Sequence, residues 1–141
     1  MSPHNSTPSF QQTVRVEAAD IDLMGHVNNI VYLRWVQEVA TSHWQSLASP
    51  EDQQQILWVV ARHEIDYKHP ALLGDEVLLE TWVGIVKGLM FERHTEIRRA
   101  TDRQILAVTR TLWIPVDSQT KKPKRLSPTS RALFSVESAP V

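Results

Sequence analysis

A polar stretch at residues 20–29 holds the side chains best suited to acid–base or nucleophilic chemistry. It contains Asp20 and Asp22, then Gly25 and His26, and it ends in two asparagines. A carboxylate on a turn that a glycine allows to fold back can act as a nucleophile or as a general base. Asp20 and Asp22 are both candidates for this carboxylate at this point, and Gly25 is the residue that allows the turn.

The two asparagines at the end of this stretch predict the start of a helix. Asn28 or Asn29 is a good N-cap, because its side chain can accept a hydrogen bond from a free amide of the first turn. Free N–H groups and the helix dipole at that end favour developing negative charge. A carbonyl held between a carboxylate and such an amide has a nucleophile or base on one side and an oxyanion site on the other. Acyl transfer needs that arrangement.

The elements that must position these groups follow from the apolar periodicity. Residues 30–47 repeat apolar side chains at steps of three and four and are apolar almost all round in the first two turns, which predicts a largely covered helix. We predict strands over residues 10–18, 56–68, 76–87, 89–99 and 104–116. One helix followed by four strands with short links predicts an α+β domain, an antiparallel sheet around a buried helix.

Length and composition predict one domain with two loosely held ends. The chain has 141 residues, 42% of them hydrophobic, which is enough to bury a core. We predict a disordered arm at residues 1–9, the folded domain at 10–127 and a C-terminal tail at 128–141. The strand at 104–116 is apolar on both faces, whereas a single helix covers only one, so we expect a homo-oligomer.

Charge, glycine spacing and cysteine content exclude several classes of protein. Fifteen basic residues against sixteen acidic ones argue against nucleic-acid binding, which draws on surplus Lys and Arg. The four glycines match neither a P-loop nor a dinucleotide fingerprint. No apolar run is long enough for a membrane span. The absence of cysteine excludes disulfides and a thiol nucleophile, and it fits the cytoplasm, where we expect the protein.

The motif DxDxxGHVNNxxYL at residues 20–33 resembles the signature of hotdog-fold acyl-CoA thioesterases. More specifically, it is similar to the 4-hydroxybenzoyl-CoA thioesterase group and its long-chain acyl-CoA relatives. The resemblance covers about residues 11–127. It implies a hotdog fold assembled as dimers or tetramers, with active sites at subunit boundaries. The implied reaction is hydrolysis of an acyl-CoA, with no cofactor. The benzoyl-CoA enzymes differ over the HVNN segment, so no aromatic acyl group is assumed.

The resemblance also implies catalytic roles for individual residues. The second aspartate of the motif, Asp22, is the nucleophile or general base, and the backbone amide of Asn29 is the oxyanion donor. His26 and Glu38 are secondary catalytic candidates. The alternatives for these two are a buried histidine that packs the loop and a charge in an interface network.

Seven further residues are candidates for contact with substrate: Gly25, Asn28, Tyr32, His63, Lys121, Lys122 and Arg125. Competing interpretations are a helix cap for Asn28 and a hydrogen-bonded core histidine for His63. The latter lies on the predicted strand face of Val59, Ala61, Ile65 and Tyr67. The basic residues at 121–125 form either a solvated turn or a contact with the nucleotide phosphates of CoA.

Two functional alternatives stay open, an acyl-ACP thioesterase of the same fold and a non-catalytic acyl-CoA-binding protein. We predict no metal site. A calcium loop that starts at Asp20 needs an oxygen ligand at its fifth position and Glu at its twelfth, and these positions hold Met24 and Val31.

Overall fold

One long helix packs against a five-stranded antiparallel sheet. The computed structural model describes residues 9–134. The predicted arm at 1–9 therefore lies outside the described residues, except for Ser9, which begins the first strand. The elements are β1 (Ser9–Arg15), α1 (Asn29–Leu47), α2 (Pro50–Gln55), β2 (Ile56–Tyr67), β3 (Glu76–Lys87), β4 (Met90–Arg99), β5 (Ile105–Asp117) and α3 (Pro128–Phe134), with a 3-10 turn at Ala18–Asp20.

The strand order in the sheet is β1-β3-β4-β5-β2. Three consecutive strands, β3, β4 and β5, form its centre, because short turns such as the one at Gly88 let the chain reverse directly. The strands that flank α1 in the sequence, β1 and β2, lie at the two edges. The α+β hotdog prediction is confirmed.

Helix α1 begins and ends where the sequence predicts. The Asn28 side chain accepts a hydrogen bond from the Ile30 amide (3.1 Å), which fixes the first turn. One stripe of α1 packs into the core on the sheet: Val31, Tyr32, Trp35, Val36, Val39, Ala40, His43 and Trp44. Ser49 then caps the short helix α2, which the sequence analysis did not predict.

A bulge in β2 changes which of its side chains face α1. The pairing register with β5 shifts between Val60 and Arg62, so Ala61 is an extra residue in the ladder. One extra residue inverts the alternation of faces, so His63 reaches α1 whereas Val59 is 49% exposed. The prediction that His63 shares a face with Val59 and Ala61 is therefore wrong.

The chain after residue 127 returns to the core. Residues 128–134 form α3, and Phe134 is only 2% exposed. Its ring stacks on Trp44 and meets His43 edge-on, with centroids 5.3 and 5.4 Å apart. The predicted loose tail is thus wrong for residues 128–134, because an apolar ring at the end of this segment finds a place beside α1. Residues 135–141 lie outside the described residues.

The sheet face opposite α1 carries an ion-pair network. Arg110 contacts Glu92 at 2.7 Å and Glu64 at 3.0 Å, and Glu92 also contacts His94 at 2.8 Å. Burial raises the pKa of Glu92, but hydrogen bonds from Arg110 and His94 outweigh it and leave that pKa below its ordinary value. A Cβ at Gly84 would lie 2.8 Å from a Glu92 oxygen, so a larger residue there would displace that side chain.

Exposed apolar side chains lie instead on the edge strand β2, at Leu57 and Val59. An unpaired strand edge with apolar side chains is a surface that proteins usually cover. The homo-oligomer stays a prediction. Within residues 9–134, no helix is long and apolar enough to cross a bilayer.

Candidate active site

The loop between the 3-10 turn and α1 folds back on itself as a tight hairpin. Ile21 and Val27 form an antiparallel bridge, and the Asp22 amide donates to the His26 carbonyl at 2.8 Å. Gly25 takes a φ of +78° and donates from its amide to the Asp22 carbonyl at 3.1 Å. The predicted turn at Gly25 is confirmed, because glycine adopts this backbone conformation at little cost.

Asp22 is anchored through only one of its two carboxylate oxygens. Oδ1 accepts hydrogen bonds from the amides of Met24 (2.9 Å) and His26 (3.1 Å). Oδ2 has no hydrogen-bond partner within residues 9–134, and the side chain is exposed. The loop amides thus fix the orientation of the carboxylate and leave one oxygen available for chemistry.

Asp20 has a structural role at the junction of the loop and α1. It is buried, with Oδ2 accepting from the Glu17 amide at 2.9 Å and Oδ1 from Arg34 Nη2 at 3.1 Å. Its carbonyl accepts from the Asn28 amide at 2.8 Å. Because a buried carboxylate must be paired, Arg34 helps to fix the loop to the helix. The sequence analysis missed Arg34, whose only signal was its place two turns into α1.

The first turn of α1 has one amide that no group in the described chain satisfies. The Ile30 amide donates to the Asn28 side chain, and the Val31 amide donates to the Asn28 carbonyl at 2.9 Å. The Asn29 amide has no acceptor among the described residues. Asn28 is therefore a cap, as the competing interpretation has it, and Asn29 keeps a free N–H at the positive end of the helix dipole.

His26 is exposed at the edge of the loop. Its backbone forms a bridge with Leu72 and its amide donates to Asp22. The interpretation of His26 as a buried histidine that packs the loop is wrong, because the hairpin turns this side chain outward.

Two tyrosines fix the loop and the helix start to neighbouring segments. Tyr32 is buried, and its hydroxyl accepts from the Ala71 amide at 3.0 Å, which favours a positioning role over the predicted contact with substrate. Burial raises the pKa of Tyr32 and that of Tyr67. Tyr67 packs edge-on against Tyr32 and donates from its hydroxyl to the Asn29 carbonyl at 3.5 Å. The sequence analysis assigned no role to Tyr67.

Glu38 lies away from the free amide. It is nine residues after Asn29, about 13 Å along the helix axis. Its Oε1 pairs with Arg34 Nε at 3.2 Å on the exposed side of α1. Within one chain, this placement favours the interface-network interpretation over a catalytic role.

His63 is a hydrogen-bonded histidine between β5 and α1. Its Nδ1 lies 3.0 Å from Thr111 Oγ1 and its Nε2 lies 3.4 Å from Gln37 Nε2. Because the Gln37 amide nitrogen can only donate, we assign the ring hydrogen to Nδ1, which then donates to Thr111. Burial lowers the pKa of His63, so the ring is neutral near pH 7. This favours the core-histidine interpretation.

The basic residues 121–125 lie at the far end of the sheet from the loop. They follow β5 in a tight turn, where the Lys122 carbonyl accepts from the Asp117 amide at 2.8 Å and Lys121 donates from Nζ to the Ser118 carbonyl. Tyr67 pairs with Ala107, ten residues before Asp117, or about 33 Å along the strand. One chain therefore does not bring the predicted phosphate contacts and Asp22 together.

Comparison with known proteins identifies the family. The sequence model of the thioesterase-like superfamily matches residues 16–134. The chain belongs to this superfamily. It is a thioester hydrolase, as predicted, and the interpretation as a non-catalytic binding protein is set aside.

Relatives of this thioesterase cover most of its length. Long-chain acyl-CoA thioesterase FadM of Escherichia coli K12 is 25% identical over 118 residues, 80% of this chain and 87% of FadM. A Thermus thermophilus thioesterase, crystallised as a complex with coenzyme A and Zn, is 25% identical with a TM-score of 0.76, covering 88% of this chain and 90% of that one. Synechocystis Slr0204, a 1,4-dihydroxy-2-naphthoyl-CoA thioesterase, has 24% identity and a TM-score of 0.75, covering 89% of this chain and 96% of its own.

The thioesterase has a cavity of about 290 Å³ between the second half of α1 and the sheet. Its wall includes five aromatic side chains: Trp44, Trp58, Phe91, Trp113 and Phe134. The cavity lies at the Ile56 end of β2, the same end of the sheet as the basic turn.

Arg93 lines this cavity and was missed by the sequence analysis. Its Nη1 lies 2.9 Å from His43 Nδ1 and donates to Thr81 Oγ1 at 3.2 Å. Burial lowers the pKa of Arg93 to about 10, so it stays positively charged. Burial, reinforced by the Arg93 charge, lowers the pKa of His43 to about 4, so His43 is neutral. The sequence signal for Arg93 was its place in β4, where it lies on the same strand face as the core residues Phe91 and Thr95.

Exposed apolar side chains surround the Asp22 loop: Leu23, Met24, Ile30, Leu72 and Leu73. Such an apolar patch indicates a surface that another molecule covers. In the part of the chain that the structure describes, no group of three His, Asp or Glu side chains is placed to hold a metal ion.

Proposed function

We propose that this thioesterase hydrolyses an acyl-CoA, with Asp22 as the reacting carboxylate and the Asn29 amide as the oxyanion donor. The observation that carries the proposal is the difference between the two carboxylate oxygens of Asp22. Oδ1 is held by two loop amides, whereas Oδ2 has no partner in the described chain, on a loop that leads into a helix with a free first-turn amide. The FadM relative supports the choice of CoA thioesters.

The chemistry places negative charge on the carbonyl oxygen of the substrate. The Asn29 N–H and the α1 dipole stabilise that charge, and one such donor contributes on the order of 3 kcal/mol to the transition state. In one route, Oδ2 of Asp22 attacks the carbonyl carbon, the thiolate leaves, and water hydrolyses the mixed anhydride. In the other route, Oδ2 takes a proton from the water that attacks the carbonyl.

A homo-oligomer completes this active site. Within one chain, the Asp22 loop lies at the Tyr67 end of β2, whereas the cavity and the basic turn lie at the Ile56 end. Antiparallel pairing of two β2 edges about a twofold axis places the Tyr67 end of one copy beside the Ile56 end of the other. The exposed Val59 on this edge supports such pairing.

In that assembly, the basic side chains of the second copy, Lys121, Lys122 and Arg125, contact the nucleotide phosphates of CoA. Cations beside phosphate add modest attraction and speed encounter. A CoA substrate and a cysteine-free chain both fit the proposed cytoplasmic location.

Thiol release from a panel of acyl-CoA esters tests the proposal. The chain has no cysteine, so a disulfide dye reports only the CoA that is set free. Asp22→Asn keeps an oxygen that can accept from the loop amides but loses the reactive carboxylate. We expect kcat to fall by about 10²–10⁴-fold with an unchanged fold and oligomer size. Glu51→Gln, another exposed carboxylate near a helix start, is the matched control and should leave kcat unchanged.

Equal activity of Asp22→Asn and the wild type would remove the assignment of Asp22. Much faster hydrolysis of acyl-ACP than of acyl-CoA would show that the substrate is an acyl-ACP and not an acyl-CoA. Label in the Asp22 carboxylate after a single turnover in ¹⁸O-labelled water would establish the anhydride route, because the general-base route places label only in the released acid.

A further inference from the structure

The cavity beneath α1 contains hydrogen-bond donors that the described chain does not satisfy. The indole nitrogens of Trp58 and Trp113 are buried without a hydrogen-bond partner, and Trp113 is only 8% exposed. Both rings line the cavity together with Arg93. The Arg93 guanidinium makes its hydrogen bonds through Nη1, so Nε and Nη2 have no acceptor within residues 9–134. Because buried polar groups are normally hydrogen-bonded, the two free donor atoms of Arg93 indicate a site for acceptor atoms.

Arg93 is also a buried cation whose described partners are neutral. It is 7% exposed, and it contacts only the neutral His43 ring and the Thr81 hydroxyl. Glu92, its neighbour in the chain, lies on the opposite face of the sheet and pairs with Arg110. An uncompensated charge in a protein interior is strongly unfavourable. An anion in the cavity would compensate it.

We propose that the cavity binds an acyl group whose far end carries an anionic oxygen, in the simplest case a carboxylate. Nε and Nη2 of Arg93 form a planar fork that matches the two oxygens of a carboxylate. The aromatic side chains of the cavity wall pack against the apolar body of the group. The identification of the ligand as an acyl group rests on the proposed function, whereas the anion site rests on the cavity alone.

The dimensions of the site limit what it holds. A volume of about 290 Å³ lies at the lower end of the roughly 300–1,000 Å³ typical of small-molecule sites, so a ring or a short chain fits better than a long one. Ala40, in the cavity wall, is eleven residues after Asn29, about 17 Å along α1. In the two-chain active site, the Asp22 loop of the second copy faces this end of the helix and reaches the thioester.

Binding of small free probes tests the site without turnover. Phenylacetate, phenylacetamide and 2-phenylethylamine are similar in size and carry negative, zero and positive charge. Calorimetry gives the dissociation constants, and quenching of tryptophan fluorescence reports entry into the cavity, which Trp44, Trp58 and Trp113 line. We expect phenylacetate to bind about tenfold or more tightly than the amide, and the amine not to bind. Equal binding of the acid and the amide would overturn the proposal.

Variants of the donors assign the effect to individual groups. Arg93→Met keeps an extended apolar side chain without charge, so we expect it to lose the preference for the acid. It should also melt at a higher temperature than the wild type, because an uncompensated buried charge is removed. If this variant does not fold, Arg93→Lys replaces it, and the preference for the acid must decrease, because an ammonium lacks the planar fork of the guanidinium.

A carboxylate of the chain itself is the competing partner for Arg93. Glu137 lies outside the described residues and is the first acid after Phe134 in the sequence. We expect Glu137→Gln to bind phenylacetate as the wild type does. Binding by Glu137→Gln together with no binding by the wild type would show that the chain neutralises Arg93, and the proposal would be wrong.

Turnover of matched esters separates this inference from the proposed function. Octanoyl-CoA and 7-carboxyheptanoyl-CoA differ only in the terminal carboxylate. We expect Arg93→Met to lower kcat/KM for the carboxylated ester about tenfold and to leave octanoyl-CoA unchanged. If neither ester is hydrolysed while phenylacetate binding depends on Arg93, the proposed function fails and the anion site stands. If both esters are hydrolysed and Arg93→Met affects neither, the anion site fails and the proposed function stands.

Discussion

Burial lowers the pKa of both Arg93 and His43, but only His43 is neutral near pH 7 as a result. The guanidinium stays protonated despite burial, because its ordinary pKa is so high. The imidazole loses its proton and accepts a hydrogen bond from its neighbour. His43 is only 2% exposed and also stacks on Phe10, with centroids 5.4 Å apart. A neutral histidine inside the fold makes stability depend on pH.

Stability should decrease as the pH falls from about 6.5 to about 4. In this interval the unfolded chain protonates His43, whose pKa is then ordinary, whereas the folded chain does not. Above pH 6.5 the stabilising effect is complete, and below pH 4 this residue adds no further loss. At about 1.4 kcal/mol per pKa unit, the free energy of unfolding falls by about 3 kcal/mol across the interval. Urea unfolding at a series of pH values measures the slope.

His43→Gln is the control for this pH dependence, since glutamine keeps an acceptor for Arg93 but does not titrate. The variant should show a flatter profile than the wild type between pH 4 and 6.5. An identical slope in both proteins would assign the pH dependence to other groups.

Among the elements, local signals predict those whose contacts lie close in sequence. Asn28 ends a polar loop and α1 starts one residue later, because a cap acts on the adjacent turn. The alternation in β4 likewise reports the faces that it shares with its neighbours in the chain. The bulge at Ala61 carries no such signal, since it depends on pairing with a strand some fifty residues later. The same limit applies to the Asp22 site, whose loop could be predicted but whose partner surfaces could not.

Helix α3 packs on the core through the buried ring of Phe134. Phe134→Ala removes a buried ring from its contacts with Trp44 and His43, so we expect a loss of about 3–5 kcal/mol in the free energy of unfolding. Leu133→Ala, on the same helix at 37% exposure, should change it by about 0.5 kcal/mol or less. Thermal and urea denaturation of the two variants measure the difference. Equal losses would mean that Phe134 is not part of the core.

For the whole molecule, the decisive surface is the edge of β2. This edge has exposed apolar side chains. It also runs from the end of the sheet with the cavity and the basic turn to the end with the Asp22 loop. An assembly through this edge accounts for both features at once. The edge strand β1 differs, because its outward pattern is largely polar: Gln11, Thr13 and Arg15.

A charge on the β2 edge should weaken the proposed oligomer. Val59→Lys places an ammonium at this surface, and we expect self-association to weaken about tenfold or more. Ile85→Lys is the matched control, because Ile85 is 50% exposed on β3 where Val59 is 49% exposed on β2. Analytical ultracentrifugation over a range of concentrations measures both. Loss of the oligomer in Ile85→Lys but not in Val59→Lys would show that the interface lies at β3 and not at β2.

The strand order has a consequence for the emergence of the protein from the ribosome. Strand β2 leaves the exit tunnel long before β5, its only partner within residues 9–134. Until Asp117 has been translated, β2 cannot pair fully with β5. Two nascent chains on one mRNA then expose the same unpaired strand to each other. Assembly of copies during translation would then compete with closure of the sheet.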